Sequence, residues 1–404
     1  MERHYFQKLV GIWLMAWVMT ACALAEPVPQ HGAHGRPDVR PAESGLGAAF
    51  DAKGNLWVVY KENEPAGRTY LKLKMSPDKG KTWPYNRTLH EEPVAARGEE
   101  RPKIAIGKNN EIYIAYTKPI ARPHVGDIRF LRSVDGGKTF SSPVTVHANR
   151  DVITHAFTAL IVDGKGHIYV SWIDGRDKER AKADGRTYVG NAIYYAVSED
   201  GGLTFRGDYR VADHSCECCR LAMALMPGGS PAIMWRHVFE PNIRDHALAA
   251  LSPSGRAAPL QRVSFDDWRI DACPHHGPSF AYAADGKRHQ VWFDGKHGRA
   301  LYQQVDGSGK PGEAHVLGGI ASSHADVAAQ NDTVVLAWRQ FDGQIFSLWV
   351  RVSRDGGQSW KERLVGQTKG EADKPYLVTG LRDIVLVWNT GREGVKIFDM
   401  EISK

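Results

Sequence analysis

Apolar residues in this chain fall in short runs that stop at clusters of Gly, Asp, Asn and Ser, as strands separated by turns do. Seven such runs close on a Trp or Tyr: 56–60, 112–116, 167–172, 232–235, 290–292, 334–338 and 383–388, ending at Tyr60, Tyr116, Trp172, Trp235, Trp292, Trp338 and Trp388. They recur at roughly fifty-residue spacing, the length of a repeat built from a small sheet. A further apolar strand follows each, as in 70–75 and 127–132. No long helical period interrupts the series, so an all-β chain is expected.

Four turns after these strands repeat one pattern: Ser76-Pro-Asp78-Lys-Gly80-Lys-Thr82-Trp83, Ser133-Val-Asp135-Gly-Gly137-Lys-Thr139-Phe140, Ser198-Glu-Asp200-Gly-Gly202-Leu-Thr204-Phe205 and Ser353-Arg-Asp355-Gly-Gly357-Gln-Ser359-Trp360. The Asp accepts backbone N–H bonds, Gly takes φ > 0, and the aromatic fills the gap between neighbouring sheets. Two further units carry reduced turns at 252–255 and 306–309. The pattern resembles the Asp-box, or BNR repeat, of the sialidase superfamily. The resemblance implies a β-propeller of four-stranded antiparallel blades, with a structural role for the boxes, and a non-catalytic or divergent member. Seven blades are favoured over six. The last unit ends without a fourth strand, which a segment between Pro27 and Arg40 is expected to supply.

The first residues change the picture of compartment. Arg3, His4 and Lys8 precede an apolar run to Ala21 and the small-x-small triplet 23–25, the pattern of a signal peptide over 1–25. The mature domain is then 26–404, periplasmic or secreted, with lipoprotein anchoring at Cys22 as a second possibility. No later run is long enough to span a membrane. The net charge of +6 is carried by scattered Lys and Arg, which argues against nucleic acid as a partner. A monomer that takes a small ligand, a metal ion or a glycan is expected.

In a propeller blade the first strand lines the channel, so the segments leading into first strands share one mouth with the loops after second strands. The unusual chemistry lies there: 99–103, 154–155, 214–220, 271–276, 322–324 and 373–376. Cys216, Cys218, Cys219, Cys273, His275 and His276 are expected to meet at that mouth. Three chemistries suit them. Export permits disulfides, thiolates with imidazoles suit copper or zinc, and a strained pair such as Cys218–Cys219 suits thiol redox work. Arg101, His155, Arg236, His324 and Arg339 are candidate substrate-binding residues around them.

Enzymes of the resembled family hold a substrate carboxylate with three arginines, use a Tyr–Glu pair as nucleophile and an Asp as acid/base. Arg101, Arg236 and Arg339 occupy positions that suit such a triad, since guanidinium forks bind carboxylates bidentately. Tyr376 with Glu371 or Glu217, and Asp174 or Asp294, are the residue types available, but no motif fixes them. Two functions remain open: a binding protein whose Cys/His cluster holds a soft metal such as copper, and an exo-glycosidase acting on carboxylated sugars.

Overall fold

The computed structural model describes residues 45–63, 69–96, 98–120, 125–272 and 274–400. The leader expected over 1–25, Cys22, the closing segment between Pro27 and Arg40, and Cys273 lie outside them.

The described chain is a seven-bladed β-propeller. Six sheets have four strands in sequential order and the seventh has three. The first strands are Gly47–Phe50, Lys103–Ile106, His155–Val162, Ala222–Leu225, Ser279–Tyr282, Ser322–Gln330 and Tyr376–Thr379. Each touches the first strand of the next blade, and the seventh touches the first, so the ring closes. Among the described residues there is one helix, Arg176–Ala183, in the loop after the second strand of the third blade. Its run of Arg, Lys, Glu and Ala favours helix, and it turns Asp177 and Ala181 inward, one helical turn apart. Nothing in the fifty-residue repeat announces it. Among the described residues no helix is long and apolar enough to cross a membrane.

The seven aromatic residues that punctuate the sequence occupy one equivalent position, and none is more than 3% exposed. The second strands run beyond them, however, instead of stopping there. In the third to sixth blades Asp174, Arg236, Asp294 and Arg339 remain paired to the third strand, opposite Ala192, His246, Arg299 and Leu348. Ladder pairing satisfies their backbone groups and delivers their polar side chains toward the mouth.

The four Ser-x-Asp turns are nearly superimposable in their bonding. In the second blade Ser133 Oγ donates to Asp135 Oδ1 at 2.8 Å and accepts the Gly137 N–H at 2.9 Å, while Thr139 N–H and Oγ1–H donate to Asp135 at 2.9 and 2.6 Å. Gly137 has φ +88°, which only glycine adopts cheaply. The turns also join blades. Trp83 packs against the apolar cluster that includes Val378, Val385 and Val387 of the seventh blade, Phe140 against the one that includes Trp57 of the first, Phe205 edge-on to Phe130 of the second at 4.9 Å, and Trp360 edge-on to Tyr302 of the fifth at 5.3 Å. Each box therefore grips the preceding blade. At the closure of the ring, Lys79 adds ion pairs to Asp383 and Asp399 at 2.6 and 2.7 Å.

Candidate functional site

The face opposite the boxes gathers the lead-in segments, and there the chain leaves regular geometry. Phe157, His275 and His324 have φ of 57°, 53° and 52°, left-handed conformations that are costly for such residues and cluster at functional sites. At their centre lies Glu99, from the second blade. Its Oε2 accepts from Arg220 Nη1 of the fourth blade at 2.7 Å and from the Gly277 N–H of the fifth at 3.0 Å. Its Oε1 faces His324 Nε2 of the sixth at 3.5 Å. A Cβ at Gly277 would sit 2.2 Å from Arg220 Cγ, so this approach requires glycine. None of these three blades adjoins the second, whose first strand touches those of the first and third; the contacts span the channel.

Arg220 is fully committed, its other nitrogens donating to the carbonyls of Pro278 and Ala325. Arg101 presents its fork to Asp373 of the seventh blade at 2.9 and 3.2 Å. Arg339 donates to the Ala372 carbonyl, and Lys374 Nζ lies over the Tyr376 ring at 5.1 Å. The His276 ring stacks on Phe293 at 3.8 Å and meets His324 at 4.2 Å. Around the axis, then, Arg101, Lys103, Arg220, Arg339 and Lys374 outnumber the carboxylates Glu99, Asp326 and Asp373.

Burial and that imbalance together set the protonation states. Burial opposes the Glu99 charge, but Arg220, Lys374, His276 and Arg101 hold its carboxyl down at about 2. Burial and the neighbouring Arg101 and Arg220 push Lys103 down to about 7, and Lys374 goes down for the same reasons. Burial brings His276 to about 3 and lowers His324 as well. Tyr376 is pushed up to about 12 by burial and by Asp326. Near neutrality the mouth thus offers lysines shifted toward their neutral form, neutral imidazoles, a protonated phenol and guanidinium groups. Neutral bases and a weak acid beside guanidinium groups are equipped to bind an anion and move a proton.

Cys216, Cys218 and Cys219 lie in the lead-in of the fourth blade, all buried in the apolar seam with the third. Cys216 Sγ is 3.9 Å from Cys218 Sγ and 3.2 Å from Cys219 Sγ, well beyond the length of about 2.05 Å of a disulfide. Hydrogen bonds from Cys218 and Cys219, with Arg236 nearby, pull the Cys216 thiol down, whereas burial and Cys216 push Cys219 up. Cys273 lies outside the described residues. His276 belongs to the Glu99 group and is linked to the thiols through Arg236, which donates to the His276 carbonyl while its own carbonyl accepts the Cys216 N–H. His275 forms the left-handed corner before it.

The remaining expected residues separate from this centre. Arg236 gives all three of its nitrogens to the carbonyls of His276, Arg244 and Phe293 and lies against Trp268, a clasp between the fourth and fifth blades. His155 lies at the seam of the second and third blades, stacked on His147 at 3.9 Å. Glu217 pairs with Lys178, Asp174 with Arg176 and Asp294 with His297. The structure places Arg101, His324 and Arg339, candidate substrate-binding residues of the sequence, beside the axis together with Glu99, Lys103, Arg220 and Lys374, which the sequence marks only as members of the lead-in segments. Their place in the lead-in segments is the signal for them. What a linear repeat does not display is which blades face one another across the channel.

No protein-family model and no curated protein matches the chain. Solved structures do. The chain is similar to a polysaccharide lyase of family PL25, an ulvan lyase solved bound to -[GlcA(1-4)Rha3S]-, at 12% identity and TM-score 0.55 over 90% of this chain and 96% of that one. It is similar to the polysaccharide lyase Uly1 at 9% identity and TM-score 0.54, covering 94% of each. A protein of unknown function from Dyadobacter fermentans DSM 18053 follows at 14% identity and TM-score 0.50, over 90% of this chain and 94% of that one. At these identities the likeness is one of fold: the neighbours include carbohydrate-active propellers, and the sialidase resemblance of the turns reaches no further than that.

The lysines give the mouth a pH signature. Lys103 ionises at about 7 in the fold against an ordinary 10.5, so between those values the unfolded chain binds more protons and stability rises with pH. Denaturant unfolding should show stability rising from pH 7 to 9 by about 1 kcal/mol per pH unit more in the native protein than in Lys103→Met. Equal slopes would mean that Lys103 keeps its proton in the fold.

Proposed function

We propose that this protein is a carbohydrate-active propeller that takes an acidic sugar at the Glu99 mouth. One observation carries the reading: a buried network in which five cationic side chains face three carboxylates, where burial and the neighbouring Arg101 and Arg220 drive Lys103 and Lys374 toward their neutral forms. A carboxylated ligand relieves that imbalance, whereas a neutral or cationic one does not. The likeness to an ulvan lyase solved with a glucuronate-containing ligand agrees with an acidic glycan.

The protonation states favour elimination over hydrolysis. Hydrolysis commonly uses two carboxyl groups flanking the bond, one of them protonated. Here Glu99 is clamped as a carboxylate by Arg220 and Asp373 is engaged by Arg101. In β-elimination from a uronate, a neutral base such as His276 takes the C5 proton. The C4–O4 bond breaks as the C4=C5 bond forms, and Tyr376 supplies a proton to the departing oxygen. Arginine beside the carboxylate stabilises the charge that develops on it. Uronate oligosaccharides should bind at least tenfold more tightly than uncharged sugars of equal length, and turnover should appear as ultraviolet absorbance of the unsaturated product. Arg339→Ala should weaken binding by tenfold or more. Equal affinity for charged and uncharged sugars, or retention of affinity in Arg339→Ala, would refute the reading.

A second reading rests on the three converging thiols. Sulfur separations of 3.2 and 3.9 Å bracket the edge of about 3.8 Å between thiolates on a four-coordinate zinc or a copper(I) of similar bond length. The low-lying Cys216 thiol beside Arg236 supplies the first thiolate. Cys216, Cys218 and Cys219 would hold the ion, with Cys273 as a fourth thiol of the sequence. Protein purified anaerobically should carry about one soft ion, zinc or copper, and Cys218→Ser should lose most of it. Metal content indifferent to that substitution would exclude the site.

A further inference from the structure

A second set of ligating atoms lies away from both the Glu99 group and the thiols. Asp127 starts the third strand of the second blade (Gly126–Ser133), His147 follows that blade's fourth strand, and His155 opens the third blade. Both imidazoles are fully buried. His155 Nδ1 lies 3.1 Å from the Gly126 carbonyl and His147 Nδ1 contacts the Asn149 carbonyl. A carbonyl only accepts, so both Nδ1 atoms carry the proton and both Nε2 atoms carry a lone pair. Neither Nε2 has a hydrogen-bond partner. His147 Nε2 instead faces Asp127 Oδ1 at 3.4 Å, and one ring nitrogen of each imidazole lies within 4.8 Å of the other and of an Asp127 carboxylate oxygen.

Lone pairs turned on one another and on a carboxylate, out of water, are destabilising unless a cation stands among them. We infer that Asp127, His147 and His155 form a site for a first-row divalent cation, zinc foremost, at the seam between the second and third blades. The donor set of two imidazoles and one carboxylate suits zinc. Bonds of about 2.05 Å in tetrahedral geometry put neighbouring ligand atoms about 3.3 Å apart, close to the 3.4 Å between His147 Nε2 and Asp127 Oδ1. The rings are now nearly parallel, at 9°, and capture of the ion splays them so that both in-plane lone pairs reach it.

The surroundings support the ligands as outer partners of metal sites do. Asp208 accepts the N–H groups of Ala148 and Asn149 at 2.9 and 3.0 Å and so fixes the segment behind His147. Arg176 ties Asp208 to Asp174 at 2.8 and 2.7 Å. Asp174 Oδ2 approaches His155 Nε2 at 3.7 Å but is already bound by Trp172 Nε1 and Arg176, which leaves three protein ligands and a fourth position for water or an oxygen of a bound molecule. Asp127 is the partly exposed member, at 27%, and gives the ion its route in.

Cobalt(II) added to chelator-stripped full-length protein separates this site from the thiols, because sulfur ligands add a thiolate-to-metal charge-transfer band that nitrogen and oxygen ligands lack. The expected result is a saturable visible d–d component without that band, displaced by zinc, abolished in His147→Gln and weakened at least about tenfold in Asp127→Asn. Asp127→Asn changes one partly exposed group and should keep the circular dichroism of the native fold, so it decides the matter if His147→Gln does not fold. Cobalt uptake that appears only with the thiolate band, or a nitrogen–oxygen component undiminished in Asp127→Asn, would overturn the inference.

Discussion

The ion pair between Glu99 and Arg220 is the interaction on which the mouth depends. It joins the second blade to the fourth across the channel, and through Gly277, Ala325 and Pro278 it ties the fifth and sixth blades to the same point. Both partners are almost wholly removed from water. A buried pair of this kind adds little net stability over an apolar filling, but losing one partner strands the other at a cost of about 3–5 kcal/mol. Its value is positional: it fixes where the surrounding arginines, lysines and histidines can stand. The left-handed corners at His275 and His324 are the strained backbone that lets their segments reach it.

The two faces of the ring divide the work. On one, the Ser-x-Asp turns bind each blade to the preceding one through a buried aromatic and a glycine of positive φ, and Thr139 and Thr82 hold Asp135 and Asp78 down at about 2 as firmly ionised turn acceptors. That face is local in sequence and repetitive. On the other, charges from four blades are brought to one axis, and burial together with the neighbouring arginines drives the lysines toward neutrality. A rigid ring is what makes such crowding tolerable, because the blades cannot move apart to relieve it. Proton-transfer chemistry then arises from position and not from any unusual residue.

The repeat face was legible in the chain because its physics is local. Ser133, Asp135, Gly137 and Thr139 bond to one another within seven residues, so their spacing is visible in one dimension, and the seven aromatic positions follow from strand periodicity. The rule that lead-in segments share a mouth with the ends of second strands also points to the neighbourhood of Arg101, His324 and Arg339. Contacts such as Glu99 with Gly277 or Arg101 with Asp373 depend on which blades oppose each other across a seven-membered ring, which the spacing of repeats does not weigh residue by residue. His155 illustrates the converse. It stands at the expected blade position, but its partners are His147 and Asp127, from the preceding blade, and neither residue belongs to a repeated motif. The thiols were visible as a cluster; their separation from His276 by Arg236 was not.

The most direct test of the crowded mouth is calorimetry of a uronate disaccharide at pH 8 in buffers of differing ionisation enthalpy. A carboxylate settling beside Lys103 and Lys374 favours their charged forms, so binding should take up protons, and the uptake should shrink in Lys103→Met. Binding heat that is the same in every buffer would contradict a mouth whose lysines are held toward neutrality by burial and by the neighbouring arginines.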